Sequence, residues 1–148
     1  MLEERYILIG IHRIVKELDR ETARIAGAHG LTLPQFMVLE ALLYRDVMTV
    51  GEIKEKVLSS NGTIPVVISN LEKQGMVRRE KDPEDHRRSI VKLTAEGREV
   101  IREICPENDE MFREKFSVWS REDKKILVEL LNKYRKNSKI PENTGREK

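Results

Sequence analysis

The chain has 148 residues, 36% of them charged, yet its net charge is only +2 and it holds a single cysteine. That length suits one domain, or one domain with a helical extension, and the lone Cys105 excludes an intramolecular disulfide. Three scattered histidines (His12, His29, His86) make no zinc spacing, and no run approaches the ~20 apolar residues of a membrane helix. Near-balanced charge means that any polyanion binding must come from local placement of charge, not from the total. With no secretory pattern at the start, a cytoplasmic location is expected, and neither cofactor nor metal is implied.

From Tyr6 to Ala28 apolar residues recur at Ile7, Ile11, Ile14, Val15, Leu18, Ala23 and Ile25, a spacing that predicts an amphipathic helix ended by Gly27 and Gly30. A second helix opens in "TLPQFMVLEALLY", with Thr32 as N-cap, Pro34 in the first turn and Gln35 completing a capping box. "DVM" reads as a short connector, at most a pair of strand residues. "TVGEIKEKVL" predicts a third helix with a Thr49–Glu52 capping box, and "SSNG" a tight turn after it. "TIPVVISNLEKQG" predicts a fourth helix, with Ile64, Val67, Ile68 and Leu71 inward and Gly75 past its end.

"MVRRE" and "SIVKLT" alternate in polarity and are rich in β-branched residues, so they predict two strands. Between them lies "KDPEDHRRS", a mixed-charge hairpin tip with three acids, three full basic charges and a histidine. Thr94 caps a fifth helix, which Pro106 should kink or interrupt. Helical spacing resumes through Met111, Phe112, Phe116 and Trp119. Ser120, with Asp123 three residues on, caps a last helix from Arg121 to about Lys136 whose stripe is Ile126, Leu127, Leu130 and Leu131. The polar tail 137–148 is expected to be disordered.

The expected class is thus mainly α with a small β-hairpin (α+β). Two short helices joined by a tight turn and followed at once by a hairpin make a winged helix-turn-helix. The second helix of such a pair fits the major groove of DNA, and the hairpin can reach the neighbouring minor groove or backbone. The small turn residues Ser59, Ser60, Asn61 and Gly62 would offer helix N-terminal amides to phosphate. Polar candidates for base or phosphate contact along the helix are Asn61, Thr63, Ser69, Asn70 and Lys73. Val66 fits either a thymine-methyl contact or the core. Of Arg78 and Arg79, alternation of strand faces suits one to phosphate and the other to a structural ion pair.

These segments together resemble the MarR family of transcriptional regulators. The likeness rests on "GLTLPQFMVLEAL", on "LEKQGMVRR", on the final "SREDKKILVELLNKY", and on Asp-x-Arg followed by Leu-Thr-x-x-Gly (Asp85, Arg87, Leu93, Thr94, Gly97). It runs over roughly residues 7–134. The resemblance implies N- and C-terminal dimerisation helices (1–31 and 95–136) around a DNA-binding region (32–94). It implies a homodimer on double-stranded, pseudo-palindromic DNA, more often a repressor than an activator, released by a small phenolic or aromatic acid or by oxidation. It places the wing arginine that enters the minor groove on Arg87 and the aspartate that braces it on Asp85. Arg88 would touch phosphate, and His86, where the family often carries arginine, would add charge only in mild acid.

His12, Met37, Tyr44 and Met111 are candidates to line an effector pocket, against the plainer reading of surface and core positions. Cys105 reads as an inert apolar residue, since the family's thiol sensors carry their cysteine in the first helix. No Ser/His/Asp set, paired carboxylates, phosphate loop or metal motif supports an enzyme. The competing reading is a winged-helix protein-interaction module without sequence-specific DNA binding.

Overall fold

A computed structural model describes residues 2–57 and 64–138. Expectations placed on residues 58–63 (the end of the third helix, the tight turn and the start of the fourth helix) and on residues beyond 138 lie outside the described residues.

The elements in order are α1 (Glu3–Ala28), α2 (Leu33–Arg45), β1 (Val47–Thr49), α3 (Val50–Lys56), α4 (Ile64–Lys73), β2 (Val77–Lys81), β3 (Ser89–Leu93), α5 (Ala95–Lys115), a 3-10 turn (Phe116–Val118) and α6 (Arg121–Lys136). The chain forms two compact units, Met1–Asp109 and Glu110–Lys148.

In the first unit, local chemistry explains most boundaries. α1 runs through Gly27 and ends at Gly30, where a φ of +80° suits only a residue without a Cβ. The Gly30 amide donates to the Gly27 carbonyl and the Leu31 amide to the Ala26 carbonyl, both at 3.0 Å, which satisfies the orphan oxygens of the last turn. α2 opens with the full Thr32–Gln35 capping box. It closes at Asp46, held at φ 58° and ψ −52°, a conformation uncommon outside glycine. That turn feeds β1, a strand of three residues where a connector with one pair of strand residues was expected. β1 pairs antiparallel with β3 (Met48 opposite Val91), so the hairpin becomes a three-stranded sheet in the order β1-β3-β2.

Thr49 caps α3 by accepting the Glu52 amide at 3.1 Å. The expected reciprocal bond goes elsewhere: Glu52 accepts the Thr49 hydroxyl at 3.2 Å. α4 buries Ile64, Ile68 and Leu71, while Val67 is half-buried. Its end is held by the Gly75 amide on the Glu72 carbonyl and the Met76 amide on the Leu71 carbonyl.

The core lies where α2, α4, the sheet and the start of α5 meet, and includes Leu39, Leu42, Met48, Ile53, Ile68, Leu71, Val91, Ile101 and Ile104. Full burial of each such side chain contributes about 1.5–3 kcal/mol relative to exposure. One polar bond is built into this interior: the Thr22 hydroxyl donates to Asn108 Oδ1 at 2.9 Å, joining α1 to α5. Asn108 is buried, so losing that partner would strand its amide.

The Leu-Thr-x-x-Gly segment is a structural clamp. Thr94 Oγ1 donates to the Gly75 carbonyl at 2.6 Å and accepts the Gly97 amide at 3.0 Å. The Thr94 amide donates to the Met76 carbonyl at 3.0 Å. Gly97 then packs so closely on the Met76 backbone that a Cβ would collide with its carbonyl.

α5 passes through Pro106 without interruption, so of the expected kink or break the break does not occur. Proline removes the hydrogen bond to the carbonyl four residues back, that of Arg102. Both residues lie on the solvent face, where the freed carbonyl need not be buried. The opposite face carries Ile101, Ile104, Cys105 and Asn108 into the core, and that packing holds the helix. Burial pushes the Cys105 thiol up to about 12, helped by the charges of Glu40 and Asp109.

In the second unit, Ser120 and Asp123 form the expected capping box at the start of α6. Phe116 stacks on Trp119, ring centres 5.4 Å apart, and Phe112 lies 6.5 Å from Phe116.

Replacing Gly97 by Ala should destabilise the protein by about 2 kcal/mol or more, since the Met76 backbone must move; a denaturant midpoint unchanged from wild type would contradict the clamp. Cys105 should react with an aromatic disulfide at pH 8 roughly a thousandfold more slowly in the folded than in the unfolded chain, because its thiolate fraction is that much lower. The folded state keeps a proton that the unfolded state loses above pH 9, so this group's contribution to stability is whole below pH 9 and is lost as pH rises towards 12. Equal reaction rates would show the site to be open.

Candidate nucleic-acid interface

α3, α4 and the β2–β3 hairpin lie together at one side of the first unit, and every charged candidate within the described residues can be located there. On α4, Val66, Asn70 and Lys73 are exposed. Val66 is 55% exposed, so the core reading for it is set aside in favour of an outward methyl surface. Positions 66, 70 and 73 follow the three- and four-residue spacing of one helix face. Ser60, Asn61, Gly62 and Thr63 lie outside the described residues.

The two arginines of β2 part as strand alternation requires. Arg79 turns inward to α4, donating from Nη2 to Ser69 Oγ at 2.7 Å, with Nε 3.5 Å from a Glu72 oxygen. That Nε is buried and has no hydrogen-bond partner. Its guanidinium is therefore structural, and Ser69 is taken up by it. Arg78 faces out and pairs with Glu80 at 3.1 Å, and Glu80 also holds Lys92 of β3 at 3.1 Å.

The hairpin tip is built from two aspartates with parallel roles. Asp82 Oδ1 accepts the Glu84 amide at 3.0 Å, and Asp82 Oδ2 accepts Arg88 Nε at 2.8 Å. Three residues on, Asp85 Oδ1 accepts both the Arg87 amide and Arg87 Nε at 3.1 Å, and Asp85 Oδ2 accepts Nη2 at 3.3 Å. The loop is closed at its base by the Asp82 amide on the Arg88 carbonyl at 3.0 Å and inside by the Arg88 amide on the Asp85 carbonyl at 3.1 Å.

Despite its two-point grip on Asp85, the Arg87 side chain remains 92% exposed. The Glu84 amide, with Arg88, holds the Asp82 carboxyl below the usual carboxylate range against partial burial. The Arg87 guanidinium, then the Arg87 amide, do the same for Asp85. Depressed carboxylates stabilise the folded form above their unfolded value, so the tip is intact at neutral pH and loosens only as pH falls below the ordinary carboxylate range. His86 is exposed at the tip.

The partners of Arg79 and Arg88 were not evident from sequence. Asp-Pro-Glu does signal a side-chain-capped turn at Asp82, but its partner six residues on is visible only once the strand register is known.

The effector candidates fall on three helices. His12 is exposed on α1, and Met37 and Tyr44 are half-buried two turns apart on α2. Met111 is buried and belongs to the second unit. A surface groove of about 420 Å³ is lined by Leu130, Lys133, Tyr134, Asn137 and Ser138 on and just after α6, and by none of those four. Among the described residues no three metal-ligating side chains converge, and no helix is long and apolar enough to cross a membrane.

Known proteins share this architecture and much of this sequence. The MarR family model matches residues 31–89, the segment from the end of α1 to the start of β3. The transcriptional regulator HosA of Escherichia coli O111:H- is 32% identical over 123 residues, which span 82% of this chain and 91% of HosA. A MarR-family regulator from Silicibacter pomeroyi has the same fold in its crystal structure, with a TM-score of 0.80 at 24% identity over 94% of each chain. NadR, solved in complex with 4-hydroxyphenylacetate, superposes with a TM-score of 0.75 at 27% identity over 89% of this chain and 94% of NadR. With a mainly helical body, a small antiparallel sheet and these relatives, the chain belongs to the MarR family of winged-helix transcriptional regulators.

Proposed function

We propose that the protein is a repressor that binds a pseudo-palindromic DNA duplex as a homodimer and is released by a small aromatic or phenolic acid. The observation that carries the DNA reading is the Arg87 guanidinium, almost fully exposed at the hairpin tip yet fixed by Asp85 at two points. A long cation normally loses about 2 kcal/mol of rotamer freedom on binding; holding it extended beforehand removes part of that cost. In this reading Arg87 enters a minor groove while the exposed face of α4 lies in the adjacent major groove. Val66 offers methyls to thymine, and Asn70 and Lys73 reach base edges or phosphate. Ser60, Asn61, Gly62 and Thr63 are candidate DNA contacts by sequence, and in this reading Arg78 lies near the DNA backbone.

The homodimer reading rests on apolar surface. The first half of α1 exposes Ile7, Leu8, Ile11 and Val15, and α6 exposes Ile126, Leu130, Leu131 and Tyr134. On α6, residues 126, 130 and 134 fall four apart on one face, continuous with the groove at Leu130 and Tyr134. Contiguous apolar stripes of this kind mark interaction surfaces, and both lie in the helices that the family uses for dimerisation. The effector reading is supported by NadR, which was solved with 4-hydroxyphenylacetate, so that acid is the probe of choice.

Duplexes enriched from a random pool should bind with an affinity that falls steeply with salt. Arg87→Ala should weaken that binding at least about tenfold with the fold intact; unchanged anisotropy titrations would remove Arg87 from the interface and favour a protein-interaction module. Adding 4-hydroxyphenylacetate to the same titration should release the duplex, and no release at millimolar acid would count against the phenolic-effector reading. Leu130→Glu should shift the sedimenting species from dimer towards monomer; a species unaffected by that charge would place the dimer contact elsewhere.

A further inference from the structure

Asp82 and Arg88 lie six positions apart, and their side chains close the base of the wing tip. Asp82 is only 7% exposed, although it belongs to the most polar stretch of the chain. Its two oxygens have different tasks: one takes the Glu84 amide at 3.0 Å, the other takes Arg88 Nε at 2.8 Å. The backbone bond from the Asp82 amide to the Arg88 carbonyl lies beside this pair. Between these two struts the chain runs through Asp85, whose carbonyl accepts the Arg88 amide and whose carboxylate grips Arg87. The position of the Asp85 carboxylate, and through it that of Arg87, therefore depends on the loop that Asp82 and Arg88 close.

We propose that Asp82 and Arg88 form a clasp that positions Arg87 for the duplex, and that Arg88 acts inside the wing as a strut, not as a phosphate contact. The proposal rests on the DNA reading given above and assigns a positioning role to a carboxylate in a DNA-binding tip. It makes a prediction opposite in sign to simple electrostatics. Removing the negative charge of Asp82 raises the positive charge of the tip, so charge alone would tighten DNA binding. Loss of the clasp weakens it, because Arg87 and its neighbours must then be ordered on binding.

The test uses the full-length protein and a duplex enriched from a random pool by the wild type. Asp82→Asn keeps an oxygen for the Glu84 amide and removes the carboxylate that holds Arg88; Arg88→Gln removes the cation. Each should weaken binding to the enriched duplex by about two- to fivefold, the scale of a partly exposed ion pair, and the double variant should be no weaker than the weaker single variant. The slope of log affinity against log salt should stay at the wild-type value in Arg88→Gln, because a strut neutralises no phosphate. Asp82→Asn should also bind random-sequence duplex slightly more tightly while binding the enriched one less tightly.

A DNA-independent measurement completes the test: exchange of the Arg88 amide, which bonds the Asp85 carbonyl, should speed up in Asp82→Asn while the thermal midpoint stays at the wild-type value. Tighter or equal binding of the enriched duplex by Asp82→Asn overturns the clasp, as does unchanged exchange at that amide. A salt slope lower by about one in Arg88→Gln makes Arg88 a phosphate contact and equally overturns it. Arg87→Ala runs alongside as the control for the reading beneath: wild-type affinity in that variant sinks the wing interface itself, whereas lost affinity there with a neutral Asp82→Asn sinks only the clasp.

Discussion

The reading surface depends on one hydroxyl. Thr94 Oγ1 reaches back to the Gly75 carbonyl, at the turn where α4 gives way to β2, and at the same time caps the first turn of α5 through the Gly97 amide. A single hydrogen bond of this kind contributes only about 1 kcal/mol net. Its geometric effect is larger, because three elements share it: the helix that faces outward, the strand that begins the wing, and the long helix that leaves the sheet. Gly97 supplies the space, since any side chain there would meet the Met76 backbone. If the turn opened, α4 and the wing would lose one of the ties between them.

The wing shows how a mixed-charge sequence can serve an anionic partner. Of its four acids, Glu84 is exposed, while the other three are paired with cations. Glu80 is bracketed by Arg78 and Lys92, Asp82 by Arg88, and Asp85 by Arg87. These pairs are near the surface and each is energetically small. Their main effect is on shape: each aspartate of the tip also takes a backbone amide two residues on, so charge pairing and turn formation use the same oxygens. Arg87, at the outermost point, ends up held and exposed together.

Much of this was legible in the sequence because it is local. The caps at Thr32 and Ser120, the end of α4 at Gly75, the apolar stripe of α4 and the two wing strands all follow from residues within four positions of one another. The Asp85–Arg87 grip is equally local. What escaped depends on tertiary packing. The pattern is too short to mark β1 as more than a pair of strand residues in a connector; its third residue and its pairing depend on the edge that β3 offers. Pro106 reads as a breaker, but the packing of Ile101, Ile104, Cys105 and Asn108 outweighs one missing hydrogen bond on the solvent side. Which strand arginine turns inward could be framed as a choice but not decided, and the partner of Arg88 needed the hairpin register. The exposure of Val66 was likewise open until α4 was placed on its neighbours.

Arg79 has one further consequence. Its guanidinium ties the middle of β2 to Ser69 and Glu72 on α4, while Thr94 ties the end of that helix to the start of α5. Helix and wing are thus stitched at two separated points. One tie alone would leave a hinge; two ties at separate places oppose both sliding and hinging, so helix and wing move as one piece, like a single jaw of a calliper.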